Sequence, residues 1–500
     1  MLQCAGRSRD ERRTVGAVTA VALASRFWGL GCPKIFHEVA THLHGDTDQF
    51  ARDLQVLIDG RSVYDPAFGG VPWSDLPLAL DDILRIEVIR GPNAAAYGSN
   101  AYSGVVNIIT REPAAQHGLR TEMTLGGGQR RDLRGRYAGT SGPLSYRLTI
   151  DSTANSGFDS RHDDSDNRRL SYRGDYALGP ADSLQFQFGM TKGKRQEGEV
   201  DTSLLPDRRA DHTYHYQQLS WEHRAAPDDT YSLRLYHNYL RKKDDWDTVY
   251  TYGAYGIPIH LGVGFESRRL DLELENKRSL GDWRLAWGLG ARQDQARSLW
   301  VMSSDQFIER NQLRAFANGE RPLGAGFTLN LGTMVEGFEG HAPLYSPRIA
   351  LNWHADRENT LRLAASRAYR MPALVEQHAD QSLYVDPAFS PPLPASVRLY
   401  GNNSVEPQSI TSYELGHLGH FPRRGLTIDA KLFQERKRKI ISTYEDQTDP
   451  TLLEDIDYFD NVGQIDIRGL DLSVKWQPTP RLLFHLGYSY AKASGWMDAG

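Results

Sequence analysis

The segment LDLELENKRSLGDWRLAWGL, residues 270–289, contains a pattern that much of the chain repeats. Leucine alternates with aspartate and glutamate before the Gly281-Asp282 pair. After that pair, tryptophan and leucine alternate with arginine, alanine and glycine. A period of two indicates a β-strand, because successive side chains of a strand point to opposite faces of its sheet. The segment therefore predicts a β-hairpin with one apolar, aromatic face and one polar face.

The same alternation recurs along the second part of the chain. It is found at residues 146–150, 184–188, 231–235, 426–432, 470–476 and 482–490. The sequence contains no run of about 18 apolar residues, which a membrane-spanning helix would require. Strands of about ten residues with one apolar and one polar face are typical of a β-barrel with lipid outside and water inside.

Short turns rich in glycine, proline and charged residues separate these strands. They lie near Gly142, Pro180, Pro227, Gly281, Leu323, Arg357, Arg423 and Thr479. Their spacing exceeds the length of two ten-residue strands, so the excess is predicted to lie in long polar loops at the other end. The predicted loops are Asp159 to Arg169, Arg241 to Ile259 and Ala379 to Val405.

The eight turns predict seventeen strands by residue 491, if each turn joins an even strand to the next odd one. Short turns at one end and long loops at the other are the arrangement of bacterial outer-membrane barrels. The alternative is a soluble β-sandwich or propeller, which would show even spacing of about 8–12 residues and no asymmetry between its ends. The observed spacing favours the membrane barrel.

Composition excludes several classes of function. The chain has 58 basic and 63 acidic residues and a net charge of −5, so no nucleic-acid partner is predicted. Its two cysteines, Cys4 and Cys32, are too few for a disulfide framework or a zinc site. We predict no metal, no cofactor and no catalytic residue, because no nucleophile motif is present. A hydrolase embedded in the barrel remains the enzyme alternative.

Residues 33–115 are predicted to form a separate small α/β unit. Short β-rich runs alternate there with Gly, Pro and Asn in LQVLIDGRSVY, in ILRIEVIRGP and in AAAYGSNAYSGVVNIITR. Gly91, Gly98 and Gly104 do not form a dinucleotide-binding motif, because a strand rather than a helix follows them.

These motifs, in this order, resemble the plug domain of TonB-dependent outer-membrane receptors. The later segments YSPRIALNWHADRENTLRLAASRAYRMPALVEQ, PQSITSYELGH and NVGQIDIRGLDLSVKWQPTPRLLFHLGYSYAKA resemble their barrel strands, so the resemblance spans 33–500. The plug-motif residues are Asp59, Gly60, Arg61, Glu87, Gly91, Pro92, Tyr97, Gly98, Gly104 and Asn107.

The resemblance implies an all-β transmembrane barrel over 118–500 with the plug in its lumen. Members of the family have twenty-two barrel strands, so with about seventeen present we expect the barrel to be incomplete at the C-terminus. Residues 1–32 are undefined or resemble a signal peptide, since an apolar run ends there in small residues. No stretch before residue 33 resembles the family's energy-coupling box.

The resemblance also implies a function in the outer membrane of a Gram-negative bacterium. It predicts energy-coupled uptake of a ferric siderophore, another metal chelate or cobalamin by a monomer surrounded by outer-membrane lipid. The energising partner would be the TonB, ExbB and ExbD complex, provided that a coupling box is present. The alternatives are a passive porin-like channel, an adhesive barrel or a non-functional truncated receptor.

Two groups of site residues follow from the resemblance. Arg90 is the plug arginine that in the family pairs with barrel carboxylates, which by motif position are Glu414 and Asp471. The loop Ser62 to Pro77 corresponds to the apical loop that faces outward. Its ligand-binding candidates are Tyr64, Asp65, Phe68 and Trp73, which can stack on, charge-pair with or bury a ligand. The alternative for these four residues is packing against the barrel wall.

Overall fold

A computed structural model gives the fold of residues 52–158, 163–198, 206–252, 255–382, 398–446 and 456–497. The signal-like segment 1–32 and the first part of the predicted plug, 33–51, lie outside these described residues. Parts of the predicted loops, including 159–162 and 383–397, also lie outside them. None of the helices in the described ranges is long and apolar enough to cross a bilayer.

The first unit is a four-stranded sheet with short helices. Strand β1 runs parallel to β4, and both pair antiparallel with their other neighbours, in the order β2-β1-β4-β3. Its strands are β1 (Leu54–Ile58), β2 (Arg61–Ser62), β3 (Ile83–Arg90) and β4 (Gly104–Thr110), and its α-helix is α1 (Ala94–Tyr97). Single 3-10 turns lie at Trp73–Asp75, Leu80–Asp82 and Pro113–Ala115.

The Asp59-Gly60 pair forms the tight turn between β1 and β2. Both residues have positive φ angles, 48° and 80°, as the favoured two-residue hairpin turn requires. The Asp59 carboxylate accepts hydrogen bonds from the backbone N–H and the hydroxyl of Thr110, at 2.8 and 2.6 Å. The turn is thereby fixed to the end of β4.

The rest of the described chain is almost entirely strand. In chain order the elements are β5 (Gly118–Gly126), β6 (Arg130–Ser141), β7 (Leu144–Asn155), β8 (Ser165–Ala177), β9 (Asp182–Glu197), β10 (Arg208–Ala226), β11 (Asp229–Lys243), β12 (Asp245–Tyr252), β13 (Tyr255–Gly262), β14 (Phe265–Leu280), β15 (Trp283–Ser298), β16 (Ser304–Gly324), β17 (Phe327–Phe338), β18 (Leu344–His354), β19 (Asn359–Arg370), α2 (Leu374–His378), β20 (Asp380–Ser382), β21 (Arg398–Tyr400), β22 (Gln408–Phe421), β23 (Leu426–Asp446), β24 (Ile456–Thr479) and β25 (Leu482–Met497).

Seventeen of these strands form one antiparallel ladder around the barrel, which confirms the predicted number for the described residues. The ladder omits β12 and β13, which pair with each other, and the short strands β20 and β21. Eight short connections join β6 to β7, β8 to β9, β10 to β11, β14 to β15, β16 to β17, β18 to β19, β22 to β23 and β24 to β25. Each lies at or within a few residues of a predicted turn.

The long connections lie at the other end, but the strands extend further into them than predicted. Residues 165–169, placed in a loop by the sequence, belong to β8, and much of 241–259 belongs to β11 and to the β12–β13 hairpin. The polar composition of these segments indicated loops rather than strands, because strands that project beyond the bilayer need no apolar face.

The contact between β5 and β25 differs from the contacts between the other neighbouring strands. The strand order closes around the barrel, yet registered residue pairs join β5 only to β6 and β25 only to β24 within the described ranges. Eight of the nine residues of β5 are exposed. The ladder of registered pairs therefore runs from β5 to β25, and the strand order places these two strands side by side.

The two faces of the wall differ as the period of two predicts. Outward side chains such as Leu289 and Leu313 are 54% and 69% exposed, whereas inward Asp294 and Met334 are each 2% exposed. Near the short turns, Phe327 stacks on Trp353 and Trp476 on Phe484, with ring centroids 5.8 and 5.4 Å apart. Aromatic rings at this level are typical of the girdle at a membrane interface.

The first unit lies in the lumen and packs against the wall. Val56, Ile58 and Leu76 form an apolar cluster with Tyr214 and Tyr216 of β10. Burial of such side chains away from water stabilises the contact between the two units.

The buried guanidinium of Arg61 adds polar contacts at this place. It donates to the Tyr214 hydroxyl and to Asn238 Oδ1, both at 2.9 Å, and lies 3.6 Å from the centroid of the Tyr216 ring. A charged donor in such a site makes hydrogen bonds stronger than those between neutral groups.

A test of the barrel's two faces compares neighbouring residues of β7. Nitroxide labels on Ile150→Cys and Thr149→Cys, with Cys4 and Cys32 changed to serine, should differ sharply. Ile150 is 56% exposed and points outward, whereas Thr149 is 2% exposed and donates to Asp82 at 2.8 Å. Spin-relaxation measurements in lipid should find the first label accessible to dissolved oxygen and the second shielded from oxygen and from a water-soluble nickel complex. Equal accessibility would contradict the assignment.

A second test removes Arg61. The Arg61→Leu substitution leaves Tyr214 and Asn238 without their charged donor, so the attachment of β1 and β2 should weaken by about 1.5–3 kcal/mol. Hydrogen exchange of the amides at 54–62 should become faster. The matched control is Arg85→Leu, because Arg85 pairs with Glu87 inside the plug unit, at 2.7 Å. Equal exchange in both variants would show that the Arg61 contacts are not stabilising.

Candidate functional site

The contact between Arg90 and the barrel lies where β3 ends. Gly91 has a φ of 90°, a value that suits glycine, and it turns the chain away from the sheet. The Arg90 guanidinium donates to Asp429 Oδ2 at 2.9 Å and lies 3.5 Å from Asp471 Oδ2. Arg90 and Asp429 are each 46% exposed, so water screens these ion pairs.

The structure corrects one pair predicted from the motifs. Glu414 pairs with Lys431, at 3.7 Å, rather than with Arg90, and Lys431 also lies 3.9 Å from Asp471. A Cβ atom on Gly91 would lie 2.5 Å from Glu414 Oε1. Arg90, Glu414 and Asp471 therefore lie in one cluster, in which the backbone of Gly91 rather than the guanidinium contacts Glu414.

Asp429 is the barrel carboxylate that the motifs did not identify. It lies on the inward face of β23, the same face as Lys431. Alternation placed Asp429 on the polar face, but the choice among inward carboxylates depends on the position of the plug in the lumen.

A second set of contacts surrounds α1. Ser99 N donates to Glu336 Oε1 at 3.1 Å, and Gln312 Nε2 donates to the same atom at 2.9 Å. Asn318 Nδ2 donates to the Ala95 carbonyl at 2.9 Å, and the Asn100 N–H donates to the Tyr369 carbonyl at 2.9 Å. No local pattern of the sequence indicated that Glu336, Gln312 and Asn318 would contact the plug.

The plug-motif residues fall into two groups by position. The first group lies at the wall and consists of Asp59, Gly60, Arg61, Gly91, Pro92 and Gly98. The Pro92 carbonyl accepts a hydrogen bond from the Ser366 hydroxyl at 3.4 Å, and a Cβ atom on Gly98 would lie 3.5 Å from Glu336 Oε1. Glu87, Asn107 and Gly104 hold the plug sheet itself. Asn107 donates to Glu87 at 2.9 Å, and Gly104 leaves room for the Ile89 carbonyl. Tyr97 is half-buried and packs beside Leu57, Ala101 and Val105.

The apical loop lies against the wall near the ends of the long loops. Tyr64 and Asp65 are 3% and 9% exposed, and Asp65 accepts from the Ser267 hydroxyl at 2.6 Å. Phe68 and Trp73 are partly exposed, and Phe68 packs edge-on against Phe265 with 4.7 Å between centroids. Burial of the first two agrees with the packing alternative, and ligand binding by the four stays a prediction.

A segment after β19, residues 371–379 with α2, covers the apical loop. The backbone N–H groups of Leu374 and Val375 donate to the carbonyls of Pro66 and Ala67 at 3.0 and 2.9 Å. Glu376 is fully buried and accepts two hydrogen bonds from Arg370, at 2.9 and 3.0 Å. These hydrogen bonds fix the covering segment against the apical loop.

Two carboxyl groups of the apical loop have opposite pKa shifts. Burial raises the pKa of Asp65 above its usual value, because desolvation outweighs its hydrogen bonds with Ser267, Phe68 and Ala67. Burial acts in the same direction on Asp75, but the guanidinium of Arg195 and hydrogen bonding to His212 hold its pKa below the usual range. Asp75 is therefore an anion paired with the wall.

The lumen wall beside the loop carries charges that pair with each other. Arg269 binds Asp294 through two hydrogen bonds, at 2.6 and 2.8 Å, and Arg314 binds Asp271 at 2.8 and 2.9 Å. Arg292 also donates to Asp271, at 2.7 Å. Burying unpaired charges would cost several kcal/mol, so this pairing lets the wall remain charged beneath the plug.

The described residues contain no group of three or more side chains arranged to hold a metal ion. Polar contacts and ion pairs connect the plug to the wall at Arg61, Arg90 and Ser99, with apolar packing beside them. Such non-covalent contacts can break and re-form, so the arrangement can hold a removable stopper in a pore.

Comparison with protein-family models matches both units. Residues 42–105 match the TonB-dependent receptor plug domain, and residues 117–500 match the β-barrel of TonB-dependent receptor-like proteins.

Curated relatives point to the same family. The chain is 25% identical over 362 residues to an iron-regulated outer membrane virulence protein of Vibrio cholerae, covering 69% of this chain and 52% of that protein. It is 24% identical over 385 residues to the vitamin B12 transporter BtuB of Vibrio cholerae, covering 73% of this chain and 56% of the transporter. The chain thus spans about half the length of these relatives.

A solved structure supports the fold. The crystal structure of the siderophore receptor PirA from Pseudomonas aeruginosa superposes with a TM-score of 0.68 at 17% identity, covering 89% of this chain and 78% of the other. The family consists of receptors and transporters of the bacterial outer membrane. By its plug and by its barrel, this chain belongs to the family of TonB-dependent receptors.

Proposed function

We propose that this chain forms the plug and barrel wall of a receptor for active uptake of a scarce, bulky nutrient. The cargo would be a ferric siderophore, another metal chelate or cobalamin. The relatives support this range, since one is named for iron regulation and another for vitamin B12 transport. The receptor would act as a monomer in the outer membrane of a Gram-negative bacterium, energised by TonB with ExbB and ExbD.

The observation that carries the proposal is a folded plug attached to opposite parts of the wall by reversible polar contacts. Arg61 contacts β10 and β11, Ser99 contacts β17, and Arg90 contacts β23 and β24. A passive channel or an adhesive barrel needs no such stopper. An energy-coupled receptor needs one that stays seated until it is pulled.

In this proposal Arg90, Asp429 and Asp471 form the part of the latch that breaks when the plug moves. Glu414 holds Lys431 in the same cluster and limits the space around Gly91. Screened ion pairs suit a latch, because each contributes only about 0.2–1 kcal/mol and can be broken without unfolding the plug.

Ligand capture would begin at the partly exposed Phe68 and Trp73, whose rings can stack on a chelate or a corrin. Tyr64 and Asp65 would become available once the covering segment 371–379 moves. Asp65 would then exchange the hydrogen bonds that it accepts from Ala67, Phe68 and Ser267 for contacts with the ligand.

The latch is tested by Arg90→Ala in cells that produce the protein. The substitution removes both contacts to the wall, so energy-dependent uptake of radiolabelled iron chelate should fall by about two- to thirtyfold, the effect of losing two screened ion pairs. The matched control is Arg85→Ala, which breaks an ion pair within the plug and no contact with the barrel. Unchanged uptake in the Arg90 variant, or an equal loss in the control, would refute the latch.

The same assay separates the proposed function from its rivals. Uptake through an energised receptor should stop when the proton gradient is collapsed. Accumulation of small solutes that persists without the gradient would support a passive channel instead. Absence of uptake for ferric chelates and for cyanocobalamin alike would contradict the proposed cargo.

The apical-loop prediction is tested by binding to purified protein. Phe68→Ala should weaken binding of the preferred chelate or cobalamin by about tenfold, because it removes one stacking surface. Isothermal titration over a panel of ferric chelates and cyanocobalamin measures this. Val88→Ala is the control, because Val88 is 67% exposed and lies on β3, outside the apical loop. Equal affinities for both variants would place the ligand site elsewhere.

A further inference from the structure

The last part of the apical loop is tied to the wall through buried charges. The side chain of Asp75, in the single 3-10 turn that begins at Trp73, lies between Arg195 of β9 and His212 of β10. Arg195 binds Asp75 Oδ1, and His212 Nδ1 lies 3.5 Å from Asp75 Oδ2. Asp75 is 3% exposed and His212 is 6% exposed. The plug and the wall therefore share a histidine-carboxylate contact that is shielded from water.

His212 has a second carboxylate on its other side. The Nε2 atom of His212 lies 3.5 Å from Glu197 Oε1, at the end of β9. A neutral imidazole has one N–H group, whereas an imidazolium has an N–H group at both ring nitrogens. Only the charged ring can donate toward Asp75 and Glu197 at the same time. The position of His212 between two carboxylates therefore favours its charged form.

The charges behind Glu197 pair with one another. Lys242, directly opposite His212 on β11, lies 3.3 Å from Glu197 and 3.1 Å from Asp244. Arg208 binds Asp244 through two hydrogen bonds, at 2.6 and 2.9 Å. The charged groups that surround His212 are thus Asp75 from the plug, Arg195 and Glu197 from β9, and Lys242 from β11, with Asp244 and Arg208 behind them. Within this set His212 is the group with an ordinary pKa near neutrality.

This charged cluster lies beyond the apolar band of the barrel. His212 precedes the end of β10 at Ala226, beside a short turn, by fourteen residues. At about 3.3 Å per residue and a strand tilt near 40°, that length corresponds to about 35 Å along the barrel axis, whereas the apolar band is about 25 Å high. The cluster is therefore in the part of the wall that projects from the outer face of the membrane, where the external medium sets the pH.

The neighbouring charges determine the protonation of His212. Burial acts to lower the pKa of His212, but Asp75 and Glu197 outweigh burial and raise it above the usual value of 6.5. Burial acts to raise the pKa of Glu197, but His212 and Lys242 lower it to about 2. The two shifts agree, since each favours the charged pair. His212 therefore keeps its proton to a higher pH than an ordinary histidine.

We propose that His212 is a positioning residue for the apical loop. As an imidazolium it bridges Asp75 of the plug and Glu197 of the wall and holds Trp73 in place, and this bridge opens in an alkaline medium. Arg195 keeps its contact with Asp75, and Arg169 still donates to the Ser74 carbonyl at 3.2 Å. The loop then loosens without leaving the wall.

The sign of the pH dependence follows from the direction of the shift. A histidine whose pKa is raised in the folded protein stabilises its contacts fully below the ordinary pKa of about 6.5. That contribution is lost as the pH rises through the folded-state pKa. A ligand that stacks on Trp73 should then bind less well, because the ring is no longer fixed before the ligand arrives. This last step rests on the proposed function, whereas the positioning of Trp73 does not.

Fluorine NMR of the full chain, with fluorotryptophan at position 73 alone, tests the positioning without a ligand. Between about pH 6 and about pH 9 the resonance of the parent should shift with a midpoint above about 6.5. His212→Gln should abolish this shift. The matched control is His223→Gln, also on β10, because His223 contacts Asp182 of the wall at 2.9 Å. The control should titrate as the parent does.

A second variant separates the bridge from a merely structural role of the ring. Glu197→Gln keeps the contact between His212 and Asp75 but removes one of the two carboxylates that favour the imidazolium. The midpoint of the Trp73 resonance should therefore move to lower pH. A heat-modifiable band confirms that each variant is folded, and the Glu197→Gln midpoint decides if His212→Gln is not.

Three results would overturn the positioning role. The first is a Trp73 resonance in the parent that is constant over this pH range. The second is a titration that persists in folded His212→Gln, since another group would then be responsible. The third is an unchanged or higher midpoint in Glu197→Gln.

The effect on ligand binding is measured by isothermal titration of cyanocobalamin and of a ferric tris-catecholate. For a probe that binds, the affinity of the parent should fall from about pH 6 to about pH 9 by about fivefold more than that of His212→Gln. Equal pH profiles of the two proteins would refute the effect on binding. If neither probe binds, the proposed cargo fails, while the fluorine measurement still decides whether His212 positions the loop.

Discussion

Every strand of the wall must satisfy its backbone hydrogen bonds within the bilayer while presenting two chemically opposite faces. In lipid an unpaired peptide group costs several kcal/mol, so only a laterally paired ladder is stable there. That ladder forces the side chains into a period of two. Leu289 and Leu313 therefore face lipid, whereas Asp294 and Met334 face the plug. The lumen, the plug contacts and the outer rim all depend on this arrangement.

The inward face of the wall carries charged side chains in a lumen that the plug fills. Arg269, Asp294, Asp271 and Arg314 pair within the wall, so few of their charges depend on the plug. The plug is attached by different groups: Arg61 on one side, Ser99 on another and Arg90 on a third. A wall whose charges pair with one another loses few ion pairs when the plug moves. This suits a plug that must leave its position in the lumen and return to it.

The outward face differs in this respect, because its basic residues are not all compensated by the chain. Glu266 binds the arginines near β14, and Asp466, which lies directly opposite Arg436, pairs with Arg438, whereas Arg468 and Lys492 form no ion pair with a described carboxylate. The same period of two thus produces an interior whose charges pair with one another and an exterior of mainly apolar side chains.

Much of the fold was predictable, since alternation and turn residues are local properties of the chain. They indicated the seventeen strands, the eight turns and the plug motifs around Asp59 and Gly91. The partners across the lumen were not predictable. Arg90 contacts Asp429, Glu414 contacts Lys431 instead, and the covering segment donates hydrogen bonds to Pro66 and Ala67. These pairs join residues up to hundreds of positions apart, and which of them meet depends on strand register, wall curvature and the seating of the plug. No local pattern encodes those quantities, so they emerge only when the ladder and the plug are assembled together.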